Sequence, residues 1–280
     1  MSELLFGVAG VPKGARGTSS EAGVDRVREL GLDAIELAWV RGARMGEEAA
    51  RSLGEHARRR GVLLTAHAAY YINLNAETKE KRAKSRNYIL QAARTGALCG
   101  VRSVVFHAAS YMGRDPEDAY RVVKDQVEEV AGILREEGNP VTLRPETTGK
   151  PSQFGSLEEV LRLCAEVEGL APCIDLAHLH ARSGGAFNSY EEFVEALRRV
   201  EEALGREALK DLHIHLSGIS YTSKGERKHL MLSDSDLHYG KVLEALCRLG
   251  VRGVVICESP DQAADAQLLQ HTYRELCGSG

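Results

Sequence analysis

The sequence predicts a single α/β domain, a (β/α)8 TIM barrel that spans residues 1–280. Three observations predict this fold. The composition, 43% apolar and 27% charged, is that of a soluble globular protein with a large core. Eight short apolar runs are spread along the chain, and amphipathic helical stretches separate them with no linker between. Strand–helix alternation repeated eight times favours one closed barrel over two doubly wound domains.

The eight apolar runs are the predicted strands. Their apolar residues are continuous rather than alternating, as in VLLTA and GVVIC, which is typical of parallel strands covered on both faces. In chain order the runs are 4–11, 32–39, 61–68, 102–109, 139–146, 170–178, 210–217 and 251–259.

Helices are predicted between these runs. After Pro116, apolar residues recur at intervals of four, three and four, which predicts one amphipathic covering helix; they are Val123, Val127, Val130 and Leu134. Ser156 with Glu159, and Ser189 with Glu192, have the spacing of capping boxes. Near the C-terminus, Ser259-Pro260 predicts a helix with Ser259 as its cap and Pro260 as its first residue.

Charge and cysteine content exclude several classes of protein. The formal net charge is −4, so no overall positive field would hold the chain on nucleic acid or on anionic lipid. No run of about 18 apolar residues occurs, and the first residues lack the pattern of a secretion signal. Six cysteines are scattered without a CxxC pair, so we expect them to be reduced in a cytoplasmic protein that does not contact membranes.

Six consecutive predicted strands end in a histidine or an acidic residue. These residues are His67, His107, Glu146, Asp175, His215 and Glu258. The C-terminal ends of barrel strands meet around one mouth, where chemistry is usually located. Any one of these residues alone could be a hydrogen-bonded polar group, but three buried carboxylates together need positive charge beside them. The set therefore predicts a divalent metal site, with zinc or manganese as candidates.

Further histidines lie near the same ends. His178 follows Asp175 by three residues and His229 lies in the loop after the seventh strand, which suggests more than one metal ion. His213 has the same parity as His215 and is expected to lie one layer deeper, in a supporting rather than a ligating role. We expect a supporting role for His180 as well.

In these residues the chain resembles the endonuclease IV family of apurinic/apyrimidinic endonucleases, within the wider group of xylose-isomerase-like barrels. The resemblance covers essentially the whole chain. Its densest part begins with HAAYYINLNAETKEKRAKS at His67 and reaches VVFHAASY around His107. It continues through Glu146, DLAH from Asp175, HLSG from His215, and Glu258.

The resemblance implies up to three zinc ions, with manganese as an alternative to zinc at one or more of the sites. His67 and His107 would hold the first ion, and Glu146 would bridge it to a second. Asp175, His215 and Glu258 would complete the second site. His178 and His229 would hold the third. The family activity is hydrolysis of the phosphodiester 5′ to abasic sites in double-stranded DNA by a metal-bound hydroxide, with Glu146 as the catalytic residue that bridges the ions.

The resemblance also implies DNA contacts. Tyr70 is similar to the family residue that enters the duplex at the abasic site. Basic residues in loops at the strand ends are candidate phosphate contacts: Arg182, Lys224 and Lys228. The run 79–86 alternates in charge and is interpreted as a solvated helix face. We expect the protein to be a monomer.

The sequence departs from the family pattern at two places. Where the family has Asp-x-His for the third metal, this chain has Glu226 three residues before His229, so Glu226 is a candidate ligand at an unusual spacing. Ser217-Gly218 replaces the family's Asn-Asp. The alternative function is a sugar isomerase or epimerase of the same barrel group. Such an enzyme needs one metal, and Glu146, Asp175, His215 and Glu258 would hold it.

Overall fold

The computed structural model describes residues 3–278, and its central feature is a sheet of eight parallel strands. Every predicted run contains one strand, so the predicted fold is confirmed. The strands are β1 (Leu4–Ala9), β2 (Ala34–Ala38), β3 (Leu63–His67), β4 (Ser103–Phe106), β5 (Thr142–Pro145), β6 (Cys173–Asp175), β7 (Leu212–Leu216) and β8 (Gly253–Cys257). Neighbours follow the order β5-β4-β3-β2-β1-β8-β7-β6, and every pair is parallel.

The sheet closes into a barrel at the junction of β5 and β6, which we call the seam. Two single bridges make this junction, Leu143 to Leu170 and Glu146 to Cys173. Two backbone hydrogen bonds cross it, from the amides of Ala171 and Thr147, each at 3.1 Å. The seam is thus held by separate single bridges, whereas every other junction of the sheet is a continuous ladder.

Helices cover the outside of the barrel. Within residues 3–278 they are α1 (Ser20–Glu29), α2 (Glu47–Arg60), α3 (Lys79–Cys99), α4 (Pro116–Glu136), α5 (Leu157–Glu166), α6 (Leu176–Arg182), α7 (Tyr190–Leu204), α8 (Tyr239–Arg248) and α9 (Gln262–Gly278). The predicted apolar stripe of α4 is buried from Val123 to Leu134. Among the described helices, none has the length and hydropathy required to cross a membrane.

The predicted helix starts are confirmed at two places and wrong at a third. Capping boxes are formed at Ser156 and at Ser189. Helix α9, however, begins at Gln262, so Pro260 lies in the turn before it and is not its first residue. The carbonyl of Asp261 accepts a bond from the amide of Asp265. The turn after β8 thus uses the residues that were predicted to begin the helix.

The prediction that all six cysteines are reduced is wrong for one pair. Cys247 at the end of α8 and Cys277 at the end of α9 form a disulfide, with their Cα atoms 5.8 Å apart. The packing of α8 against α9 brings together two residues that are 30 positions apart in sequence. The remaining cysteines are free and buried: Cys99, Cys164, Cys173 and Cys257.

Two small antiparallel pairs extend the mouth of the barrel. One joins the loops after β4 and β5, through Ala109–Ser110 and Gln153–Phe154. The other, which we call the β7 hairpin, pairs Gly218–Thr222 with Gly225–Leu230 directly after β7. The β7 hairpin packs against α6, which follows β6. These additions bring loop residues over the strand ends.

Candidate metal centre

The nine predicted metal ligands lie in the mouth of the barrel in three clusters. Within each cluster, one ligand atom per residue lies within 4.8 Å of every other. Cluster 1 is His67, His107 and Glu146; cluster 2 is Glu146, Asp175, His215 and Glu258; cluster 3 is His178, Glu226 and His229. Clusters 1 and 2 share Glu146, so the mouth offers three neighbouring positions for cations.

Glu146 lies at the centre of the mouth and is almost completely buried. Its Oε2 atom is 3.0 Å from Nε2 of both His67 and His107. Its Oε1 atom is 3.1 Å from Nδ1 of His215 and 3.2 Å from Nδ1 of His178. One oxygen thus faces cluster 1 and the other faces clusters 2 and 3, which is the placement of a bridging carboxylate.

Asp175 and His178 are placed together by the start of α6. Asp175 is the N-cap residue, and its Oδ1 accepts a hydrogen bond of 2.7 Å from the backbone N–H of His178. This cap fixes the two side chains on the same side of the helix start. His178 Nδ1 lies 3.1 Å from Asp175 Oδ2, and its ring is nearly fully buried. The local sequence DLAH therefore supplies candidate ligands to two clusters at once.

The β7 hairpin delivers Glu226 and His229 to cluster 3. Residues three apart on a regular strand point to opposite faces. Here the register shifts, with Tyr221 opposite Glu226 but Ser220 opposite Lys228, so Arg227 has no partner and forms a β-bulge. A bulge adds one residue and restores the face of those that follow. Glu226 and His229 consequently share the inner face, whereas Arg227 is exposed.

A glycine allows this close approach of the β7 hairpin. A Cβ atom on Gly149 would meet the Cβ of Glu226 at 2.7 Å and Cδ2 of His178 at 3.1 Å. Any larger residue would therefore push the β7 hairpin away from α6. The loop after β5 thus limits how near cluster 3 can lie to the rest of the mouth.

Charge sharing between imidazoles and carboxylates dominates the electrostatics of the mouth. Burial opposes the charged form of His67, but its hydrogen bond with Glu146 raises its pKa to about 9. Burial likewise opposes the charge on His178, and Asp175 and Glu146 raise its pKa to about 10. Burial raises the pKa of Asp175 to about 6. Protons on the imidazoles thus balance the carboxylates, and a divalent cation can replace them.

The residues present fit zinc or manganese. The Oδ2 atom of Asp175 is buried and accepts no hydrogen bond within the described residues, since Nδ1 of His178 bonds the carbonyl oxygen of Thr147 at 3.0 Å. An unsatisfied buried carboxylate oxygen is costly unless a cation or a donor meets it. Imidazole nitrogens and carboxylate oxygens are ligands that zinc and manganese accept.

Sequence reasoning missed one buried acid below cluster 2. Glu36 on β2 is 1% exposed and lies within 3.1 Å of both His213 and His215. The available signal was a lone charged residue inside the apolar run AIELA. His213 occupies the deeper layer expected for it, and burial lowers its pKa to about 4. His180 pairs with Asp236 at 3.0 Å and belongs to none of the three clusters.

The candidate DNA contacts differ in exposure. Tyr70 is 67% exposed at the rim, with its ring 4.2 Å from that of Tyr71. Lys224 and Lys228 are exposed on the β7 hairpin. Arg182 instead donates to the carbonyl oxygens of Lys150 at 2.6 Å and Gln153 at 3.0 Å, which anchors the loop after β5. Contacts of these four side chains with DNA stay predictions.

Comparisons with known proteins identify a family and relatives that match between 59% and 98% of the chain. The family model described as a xylose isomerase-like TIM barrel matches residues 24–276. An uncharacterized protein of Methanocaldococcus jannaschii is 44% identical over 273 residues, 98% of each chain. A probable endonuclease 4 of Geobacillus sp. is 27% identical over 170 residues, 59% of this chain and 54% of that protein.

Solved structures share the fold. A D-tagatose 3-epimerase-like protein superposes with a TM-score of 0.75 at 18% identity, over 99% of each chain. Endonuclease IV from Thermus thermophilus superposes with a TM-score of 0.68 at 23% identity, over 99% of this chain and 100% of that one. The similarity to both kinds of protein lies in the barrel itself. The chain therefore belongs to the xylose isomerase-like TIM barrel family, and its barrel mouth holds the candidate metal ligands described above.

Proposed function

We propose that the protein is a metal-dependent DNA repair endonuclease of the endonuclease IV type, which hydrolyses the phosphodiester 5′ to an abasic site in double-stranded DNA. The observation that carries the proposal is the presence of three ligand clusters in one mouth, with Glu146 shared by two of them. In-line displacement at a phosphodiester needs positive charge at both the attacking and the leaving oxygen. A group of adjacent cation positions meets that requirement.

The chain's own residues would divide the work as follows. Zinc or manganese in the clusters would activate a water near neutral pH and neutralise the phosphate. Glu146 would hold the positions of clusters 1 and 2 at a fixed separation, because its two oxygens face different imidazoles. His178, Glu226 and His229 would provide the position for the leaving oxygen. Tyr70 at the rim would contact the opened duplex.

A second candidate is a sugar isomerase or epimerase with one metal ion. Cluster 2 favours it, because Glu146, Asp175, His215 and Glu258 alone form a four-residue site. In such an enzyme Glu146 and Glu258 would move a proton at the carbon next to a carbonyl. His67 and His107 of cluster 1, and the whole of cluster 3, would then have no role in the chemistry. The histidines outside cluster 2 therefore favour the endonuclease.

Removal of His229 separates the two candidates. Stabilisation of charge on a leaving oxygen is worth several kcal/mol, so His229→Ala should slow cleavage of an abasic duplex by about a hundredfold or more. The measurement uses a labelled duplex with one tetrahydrofuran abasic analogue, at matched zinc or manganese concentration. His271→Ala is the matched control, since His271 is 71% exposed on α9 and pairs with Glu275.

The outcomes lead to different conclusions. Equal cleavage by His229→Ala and the unsubstituted protein would exclude a catalytic third cation. No abasic cleavage by the unsubstituted protein, together with interconversion of ketoses, would favour the epimerase. Elemental analysis adds a second measurement: two or three metal equivalents per chain favour the endonuclease, and one favours the sugar enzyme.

A further inference from the structure

A second buried polar layer lies beneath cluster 2. It consists of Glu36 on β2, Thr65 on β3, Ser103 on β4 and His213 on β7, each no more than 1% exposed. A carboxylate inside a barrel is costly unless donors surround it. The contacts of Glu36 show which donors it has.

The two oxygens of Glu36 have different neighbours. Oε2 accepts a hydrogen bond of 2.9 Å from Thr65 and lies 3.1 Å from Nε2 of His213. Oε1 lies 3.0 Å from Nε2 of His215, which is an ion-pair distance, and within the described part of the chain neither of these buried atoms makes a hydrogen bond. Since Thr65 donates to Oε2 and His213 faces that same oxygen, Oε1 is the oxygen that faces His215.

His215 is shared between two layers. Its Nδ1 faces upward, 3.1 Å from Glu146 and 3.6 Å from Glu258, and its Nε2 faces Glu36. A proton held on Nε2 by a carboxylate leaves a lone pair on Nδ1, and a histidine oriented in this way is a stronger metal ligand.

We propose that Glu36 is a positioning residue, which holds the proton of His215 on Nε2 and so directs the lone pair of Nδ1 to a metal ion in cluster 2. This inference rests on the metal centre of the proposed function. His213 does not compete for the same oxygen, because its Nδ1 lies 3.2 Å from the Ser103 hydroxyl and its Nε2 faces Oε2. Glu36 acts through His215 and does not itself touch the metal or the substrate.

The same atoms allow a different arrangement. Cys173, His213 and His215 lie close enough to hold a cation among themselves, deep in the barrel. That arrangement needs an unprotonated nitrogen of each histidine directed at the cation, whereas the proposal needs protons on Nε2 of both histidines. The two arrangements therefore predict different protonation and a different number of bound ions.

Glu36→Gln tests the proposal through metal binding alone. The amide has one acceptor oxygen instead of two, so the substituted side chain cannot accept from Thr65, His213 and His215 together. We expect the affinity for cobalt(II) or zinc at cluster 2 to fall by about 10- to 100-fold, the usual effect of losing such a partner. The measurement is a titration of chelator-treated protein with cobalt(II) in the presence of a competing chelator, followed by visible absorption. Nitrogen-15 NMR of the unsubstituted protein loaded with zinc should show His215 protonated at Nε2.

Ser103→Ala is the matched control, because it removes a hydroxyl from the same layer but leaves the contact between Glu36 and His215. We expect it to change metal affinity by less than about threefold, well below the loss expected for a partner of the ligand itself. Should Glu36→Gln fail to fold, Glu36→Asp replaces it: the shorter acid keeps the charge but withdraws the oxygen, and the affinity should still fall.

Three results would overturn the inference alone: unchanged cobalt affinity in both Glu36 variants, an equal loss in Ser103→Ala, or a cation located among Cys173, His213 and His215 by anomalous scattering. A chain without affinity for metal at cluster 2 would overturn both this inference and the proposed metal centre. Because DNA cleavage is not measured, failure of the endonuclease proposal on its substrate would not affect the result.

Discussion

Glu146 illustrates how much chemistry one buried side chain can concentrate. The positive charges of His107 and His215 oppose the effect of burial and hold the pKa of this carboxyl well below its usual range. It is therefore charged near neutral pH, and its two oxygens face different clusters. Among the carboxylates of clusters 1 to 3, Glu146 is the one that belongs to two clusters.

Replacing this carboxylate gives a direct prediction. Glu146→Gln keeps the shape but removes the charge and one acceptor, so we expect abasic cleavage to fall by at least about a hundredfold and cluster 1 or 2 to lose its ion. Incision of the abasic duplex and metal content should be measured on the same preparation. Near-normal activity would rule out the bridging role. Lost activity with every ion retained would indicate an electrostatic or proton-transfer role instead.

The pKa values of the histidines predict how metal binding depends on pH. His67 and His178, with pKa values of about 9 and 10, carry protons in the metal-free protein near neutral pH. The pKa of His215 in cluster 2 also lies well above its usual range. Zinc binds the neutral ring, so loading all three clusters should release about three protons and the affinity should rise from about pH 7 toward pH 9. Calorimetric titrations in buffers of different ionisation enthalpy measure this number. A binding enthalpy independent of the buffer would contradict the prediction.

At the scale of secondary-structure elements, the bulge in the β7 hairpin places Glu226 and His229 of cluster 3 on the same face. The sequence spacing of Glu226 and His229 alone suggests opposite faces, and only the unpaired Arg227 corrects it. Deletion of Arg227 should restore a regular strand with a two-residue spacing, in which both side chains still face inward. We therefore expect the deletion variant to retain the metal content of cluster 3.

Two controls accompany the deletion. Arg227→Ala keeps the extra residue and should leave metal content unchanged, because the side chain of Arg227 is exposed. Insertion of one alanine after Arg227 adds a second extra residue to the strand. It should turn Glu226 and His229 to opposite faces, and the ion of cluster 3 should be lost. Loss of metal in the deletion variant, measured by elemental analysis, would show that the bulge does more than correct the register.

At the scale of the whole molecule, the sequence predicts most of the architecture for a physical reason. Strands buried on both faces must be apolar, and each polar residue that ends such a run stands out, as His107 and Asp175 do. Glu36 was not found because its strand continues in apolar residues after it. The disulfide of Cys247 was not predictable, since it depends on the packing of two helices rather than on a local pattern. The roles of the mouth residues stay predictions, which the substitutions and metal titrations above test.

The seam has a consequence for how the barrel opens. Its two backbone hydrogen bonds are donated by Ala171 and Thr147, and cluster 2 draws Glu146 from one side and Asp175 from the other. The free energy of local opening should be lowest where few backbone hydrogen bonds between strands must break. The amides of Ala171 and Thr147 should thus exchange with deuterium faster than those of β1, and slow on addition of zinc. Mass spectrometry of peptides covering residues 140–178 would detect this, and equal exchange with and without metal would contradict it. A cation at that junction would act as a reversible cross-link between the two halves of the polypeptide. The concentration of metal would then control how often the barrel opens there, as well as its chemistry.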